Sequence, residues 1–261
     1  MDYIIILYII FGILPSLTWL FYYLRKDIHP EPKRMILAIF FWGAIVTIPV
    51  LFIQLGLNKL LEIGITNLGF PPLKEILNLS WNHLNANFLI IVLIYWFLII
   101  SLSEELFKYL VVRIKAVGSQ HLDEPLDIML YMVIAALGFT AVENVLYLFM
   151  PAGQFSFNDL VNRTLIISFA RFIGATFLHT LCSATVGYYL ALSFCQEKNK
   201  KMYVFGGIFM AVALHGLYNF SIMTLEGPIK IAIPIAILII LAFLVFSEFE
   251  KIKKLKGICK I

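Results

Sequence analysis

The residues able to do chemistry lie in four short stretches of an otherwise apolar chain. Ser103-Glu104-Glu105-Leu106-Phe107-Lys108 sets two adjacent carboxylates and an amine inside Phe88 to Val112, which otherwise reads as a membrane span. Phe139-Thr-Ala-Val-Glu143-Asn144 comes next, then Arg171 with His179, then His215-Gly-Leu-Tyr-Asn219. A charged side chain near the middle of a span raises the insertion free energy by roughly 3 kcal/mol. Unanswered, Glu104, Glu105, Lys108, Glu143 and Arg171 would together add on the order of 15 kcal/mol. Mutual pairing around a hydrated cavity removes most of that penalty. In such a cavity a carboxylate can deprotonate water, directly or on a metal, while imidazole and carboxamide stabilise a tetrahedral oxyanion. The chemistry such a set could perform is hydrolysis.

Taken singly, each group has a structural explanation. Glu104 and Lys108, four residues apart, share a helix face and are expected to neutralise each other, and a buried pair needs no function. Glu105, about 100° further round the helix, is not explained that way. A lone glutamate at 143 could be structural, and a histidine in a span is more often a hydrogen-bonding partner between helices than a ligand. Arg171 could merely balance the excess carboxylates. His215 and Asn219 share a face, and Gly207, Ala211 and Gly216 permit neighbouring helices to approach closely. The structural explanation weakens for the set, because four consecutive spans carry polar groups while the first, second and seventh carry almost none. Two glutamates and two histidines are also eligible zinc ligands. HExxH, GxSxG and a membrane aspartate pair are all absent, which leaves glutamate-centred chemistry.

The elements that must position these residues follow from composition. The chain is 61% hydrophobic and 14% charged, with a mean hydropathy of +0.93, beyond what a soluble surface tolerates. About 20 apolar residues cross a bilayer as a helix. By that ruler there are seven spans, at 3–24, 35–57, 88–112, 127–149, 164–194, 202–223 and 229–248. The predicted fold is an all-α polytopic membrane bundle, a single transmembrane domain over 1–261. Spans three to six (88–223) form a four-helix catalytic core, and the first, second and seventh are peripheral. The first stretch lacks a basic leader and is followed by Arg25-Lys26, so it reads as a retained span. The fifth would be about 46 Å long as a continuous helix, so it must tilt, bend near Gly174 or begin outside the hydrocarbon. In the connection Asn58 to Asn87, Pro71-Pro72 precedes Leu73, Ile76, Leu77, Trp81 and Leu84, a stripe that predicts an interfacial helix.

Fourteen Lys and Arg lie in the connections on one side, at 25–34, 113–115, 198–201 and 251–260, against four on the other, Lys59, Lys74, Arg163 and Lys230. Cytoplasmic loops retain the excess of positive charge, which puts the N-terminus outside and the C-terminus in the cytoplasm. The net charge of +4 resides in those clusters between apolar runs, so nucleic-acid binding is rejected. Cys182, Cys195 and Cys259 form no CxxC pair for a disulfide framework or a thiolate zinc site. One ruler-based mismatch stands out. Glu143 is expected to sit about 10 Å from Glu104 in depth, which ranks it below the other site residues.

Glu104-Glu105-x-x-Lys108, Phe139-x-x-x-Glu143-Asn144, Arg171 with His179, and His215-x-x-x-Asn219, in that order and span placement, resemble the PrsW family of intramembrane proteases. The charged, proline-containing segment Tyr23 to Arg34 is similar to the one after that family's first span, so the resemblance covers most of the chain. It extends to the type II CAAX prenyl proteases and bacteriocin-processing peptidases. Glu143 stands where that wider group has a histidine, which agrees with the PrsW branch. The resemblance implies a peptidase with Glu104 and Glu105 as the catalytic pair, His179 and His215 as partners or ligands, and Asn219 supporting the oxyanion. It implies supporting roles for Lys108, Glu143, Asn144 and Arg171. If zinc binds, the implied ligands are His179, His215 and Glu143, and zinc and metal-free mechanisms both stay open. The implied partners are the lipid bilayer of a prokaryotic cell and a membrane-protein substrate, such as an anti-sigma factor cut at its first site. A proton- or cation-coupled transporter is the leading alternative, although no inverted repeat is detectable, and a non-catalytic membrane scaffold is a third.

Overall fold

The computed structural model describes residues 2–25, 31–150, 157–195 and 199–254. Residues 26–30 of the proline-containing segment, Lys198, Lys256, Lys260 and Cys259 lie outside the described residues. Seven helices are long and apolar enough to span a membrane: Tyr3–Leu24, Lys33–Asn67, Ala86–Lys115, Pro125–Phe149, Asn158–Cys195, Lys200–Thr224 and Ile229–Lys253. No strand occurs among the described residues. In hydrocarbon every backbone N–H and C=O must be satisfied within the segment, so apolar runs of this length become helices even around Pro15, Pro49 and Pro234.

The fourth span is the axis of the bundle. It is buried along nearly its whole length and packs on the first, second and fifth spans. Its start is fixed by Pro125 at the first turn and by a reciprocal capping box between Glu124 and Asp127. Lipid is as apolar as leucine, so these helices are held by close packing. Gly43 and Gly138 let the second and fourth spans touch backbone to backbone: a Cβ on Gly138 would lie 2.0 Å from the Phe40 carbonyl oxygen. Gly207 and Gly216 make room for Tyr189 and the Phe97 ring, the close approach expected of them.

The second span is longer than its hydropathy indicates, continuing as helix from 57 to Asn67. Packing holds the extension. Ile65 is buried with Leu73 and Ile76, and Glu62 Oε2 accepts the Leu73 backbone N–H at 2.8 Å. The predicted interfacial helix is correspondingly shorter, a five-residue helix Leu73–Leu77 followed by a separate 3-10 turn Trp81–His83.

Two spans are not regular. The third contains a π-helical segment Ile94–Ser101, and the fifth contains one at Phe172–Thr176, enclosing Gly174 where an irregularity was expected. There a Cβ would meet the Tyr218 hydroxyl at 2.5 Å, so only glycine leaves the phenol its place. Each π segment ends three residues before a chemical group, Glu104 in one case and His179 in the other. An inserted residue in the ladder turns the following helix face by about 100°, which makes these segments the devices that aim the two groups.

Candidate active site

Glu105 and Lys108 are fully enclosed between the third, fifth and sixth spans. Lys108 Nζ donates to Glu105 Oε1 at 2.5 Å and bonds His179 Nδ1 at 2.7 Å. His215 Nδ1 bonds the same carboxylate oxygen at 2.8 Å, and the Ser183 hydroxyl donates to Oε2 at 3.3 Å. Both oxygens of Glu105 are therefore occupied. The expected Glu104–Lys108 pairing is corrected: Lys108 pairs with Glu105, three residues away. That spacing brings side chains together as well as four does, and the neighbours decide between them. Gln54 on the second span donates Nε2 to Glu104 Oε1 at 3.1 Å and to Ser103 Oγ at 3.1 Å, drawing Glu104 to the other side of the helix.

Glu104 Oε2 is buried and makes no hydrogen bond among the described residues. It lies 3.9 Å from His179 Nε2 and 3.8 Å from His215 Nε2, whose rings stand nearly perpendicular with centroids 4.7 Å apart. The partners on Nδ1 fix which ring nitrogens carry protons. An ammonium has no acceptor, so His179 Nδ1 accepts from Lys108 and Nε2 holds the proton. A carboxylate has no donor, so His215 Nδ1 donates to Glu105, which in the neutral ring leaves the lone pair on Nε2.

Glu143 belongs to the same group of side chains. Its Oε2 lies 3.2 Å from His179 Nε2 and accepts from Arg171 at 2.7 Å. The expected difference in depth does not keep the two apart: Glu143 Oε2 and Glu104 Oε2 reach the same His179 Nε2, at 3.2 and 3.9 Å. Arg171 also donates Nε to Asn144 Oδ1 and lies over the Tyr147 ring at 3.9 Å. Asn144 Nδ2 reaches the Gly12 carbonyl at 3.2 Å and Thr176 at 3.1 Å, tying the first and fifth spans to the fourth.

A cavity of about 300 Å³ joins these groups; Glu104, Glu143, Arg171, His179, His215 and Asn219 all line it. Asn219 makes no hydrogen bond among the described residues, which leaves its carboxamide available. Thr47, Val50, Leu51 and Gln54 bring the second span to the same cavity. Sequence reading missed that contribution, although Gln54 is a carboxamide inside an apolar run and could have been flagged on that ground.

The PrsW family intramembrane metalloprotease model matches residues 31–247, a stretch that holds every group described above except Gly12. This chain belongs to that family. It is 26% identical over 243 residues to Protease PrsW of Clostridioides difficile (strain 630), covering 92% of this chain and 89% of that one. Protease PrsW of Bacillus subtilis (strain 168) is 26% identical over 249 residues, 95% and 94% of the two chains. The Oceanobacillus iheyensis Protease PrsW is 25% identical over 228 residues, 87% and 88%. No solved structure matches the chain. PrsW membership identifies an integral membrane peptidase of a bacterial family, and decides for hydrolysis over the coupled transport that the polar groups alone left open.

A family of metalloproteases makes zinc a cofactor to test against the residues present. Ligand atoms of Glu104, His179 and His215 lie within 4.8 Å of one another, and the orphaned Glu104 Oε2 is a buried acceptor that a cation would satisfy. The donor set fits a metal. Glu143 lies outside this trio, its Oε2 engaged by Arg171.

Proposed function

We propose that the protein hydrolyses a peptide bond of a membrane-protein substrate in this cavity, with Glu104 as the base that activates water. The observation that carries the reading is the bare Glu104 Oε2, buried yet facing the two imidazole Nε2 atoms across a cavity. A water held between Glu104 Oε2 and the His215 Nε2 lone pair gives its proton to the carboxylate as its oxygen attacks the carbonyl carbon. The His179 Nε2–H and the Asn219 carboxamide are the donors available to the developing oxyanion. Glu104 then passes the proton to the departing amide nitrogen as the C–N bond breaks. Glu105 and Lys108 take no proton from water; they hold both imidazoles by Nδ1. Arg171 fixes Glu143 against His179, and Asn144 fixes Arg171.

If zinc is bound, Glu104, His179 and His215 are its ligands and it supplies Lewis-acid polarisation and a more acidic water. Ligation by His179 Nε2 competes with the Lys108 hydrogen bond, because that bond keeps the proton on Nε2.

The side of substrate approach follows from the charge bias. With the N-terminus outside and the C-terminus cytoplasmic, the 68–85 connection is external, and a second cavity of about 490 Å³ lies beneath it. Leu55, Asn58, Tyr95 and Trp96 line both cavities, so a chain threading from the outer face reaches Glu104 past them. A single-span protein such as a membrane-spanning anti-sigma factor suits this route, with its first cut on the outer side.

Purified protein in liposomes, given a panel of single-span substrates, tests the reading. Cleavage that disappears in Glu104→Gln is expected; intact substrates together with ion-dependent uptake would overturn it. Activity lost to a chelator and restored by zinc assigns the metal route, and full activity in metal-free protein assigns the route through Glu104 alone.

A further inference from the structure

At the end of the bundle opposite the 68–85 connection, a cavity of about 510 Å³ lies between the ends of the third and fifth spans and the start of the sixth. Arg113, Lys200 and Lys201 line it, and no acidic residue among the described residues does. None of the three has an ion pair or hydrogen bond among the described residues. Two other cations at this end do have partners: Lys115 sits over the Trp42 ring at 3.8 Å, and Lys253 bonds Glu250 at 3.0 Å. The Tyr109 hydroxyl in the same cavity is also without a hydrogen bond among the described residues, whereas Ser193 spends its hydroxyl on the Leu190 carbonyl at 2.6 Å. Three cations converging on one cavity repel one another, and an anion placed between them would relieve that repulsion.

The walls specify which anion. Lys201, Phe205 and Phe209 are spaced four apart, one above another on the sixth span, so a stripe runs from charge to apolar surface down the helix. Phe205 and Phe209 are 70% and 62% exposed and stack with centroids 6.3 Å apart. Phe194, Val204 and Ile208 continue the apolar wall inside the cavity. A soluble phosphate would use the cations and leave this surface bare. A membrane phospholipid uses both, with its phosphate at the helix ends and an acyl chain descending along the spans.

We propose that this cavity binds an anionic phospholipid, the phosphate held by Arg113, Lys200 and Lys201 and one acyl chain lying along Phe205 and Phe209. The site is built by the same three helices that carry Glu104, Glu105, His179 and His215, so an occupying lipid braces their ends together. The assignment does not depend on the reaction proposed for the other cavity.

Native mass spectrometry of the full chain in detergent tests it, with phosphatidylglycerol, phosphatidylcholine of the same acyl chains, and glycerol phosphate added in turn. Phosphatidylglycerol is expected to be retained in preference to phosphatidylcholine, and its affinity to fall about 100-fold in Arg113→Gln/Lys200→Gln/Lys201→Gln. The control Lys251→Gln/Lys253→Gln/Lys254→Gln, which removes the same charge from the same end, is expected to retain it. Phe205→Ala is expected to weaken the lipid several-fold with all three cations present, a readout that survives if the triple variant fails to fold. Equal loss in the control would overturn the proposal in favour of diffuse surface charge. Equal retention of phosphatidylcholine would overturn it too, as would competition by glycerol phosphate at the concentration of the whole lipid, which would make this a soluble-phosphate site.

Discussion

Glu104 and Glu105 are consecutive, buried and on one turn of one helix, yet their surroundings are opposite. Glu105 faces the fifth and sixth spans, where Lys108, His215 and Ser183 occupy both of its oxygens. Glu104 faces the second span and the cavity, with Gln54 on one oxygen and, among the described residues, no hydrogen bond on the other. A single step of about 100° along a helix separates a sealed polar core from a reactive surface. The difference teaches that burial alone does not identify the reacting group. A carboxylate with both oxygens satisfied holds other side chains in place, and one with an oxygen free in a cavity can accept a proton.

The comparison can be broken most sharply at Glu104. Glu104→Gln keeps the shape and the Gln54 contact but removes the base, and cleavage should fall roughly 10²- to 10⁴-fold with thermal stability near wild type. On the sealed side the expected loss is in folding. Lys108→Met leaves the Glu105 carboxylate buried without its cation, and breaking such a pair costs about 3–5 kcal/mol, readable as a lower unfolding midpoint in detergent. Glu105→Gln/Lys108→Met should recover part of that loss, because no unpaired charge remains; a double variant as unstable as the sum of both singles would contradict the pairing. Arg171→Gln frees Glu143 from its partner and should lower cleavage about 10- to 100-fold, the range for a hydrogen bond to a charged group. Gln54→Leu removes one donor from the Glu104 carboxylate and should change cleavage by about tenfold, the low end of the same range. A loss in Gln54→Leu as large as that in Glu104→Gln would mean that the second span does more than orient the base.

Much of this was legible in the residues, for identifiable reasons. Seven spans follow from hydropathy because the bilayer forces each long apolar run into a helix. Glu104, Glu143, His179, His215 and Asn219 stood out because polar groups in lipid need company, and the structure does bring them to one cavity. What hydropathy could not supply was the choice of partner. Positions three and four apart are equally near, so Lys108 beside Glu105 instead of Glu104 depended on Gln54, a residue 50 positions away. The extension of the second span to Asn67 depends on Ile65 packing with Leu73 and Ile76, a tertiary contact. Glu143 was ranked too low because a depth ruler measures backbone position and not side-chain reach, and its carboxylate meets that of Glu104 at His179 Nε2.

The division of labour between the two adjacent glutamates is tested most directly by measuring cleavage and thermal unfolding on the same preparations of Glu104→Gln and Glu105→Gln. The account predicts a stable, inactive Glu104→Gln and a destabilised Glu105→Gln that retains measurable cleavage per folded molecule. A fully stable but inactive Glu105→Gln, alongside an active Glu104→Gln, would contradict it.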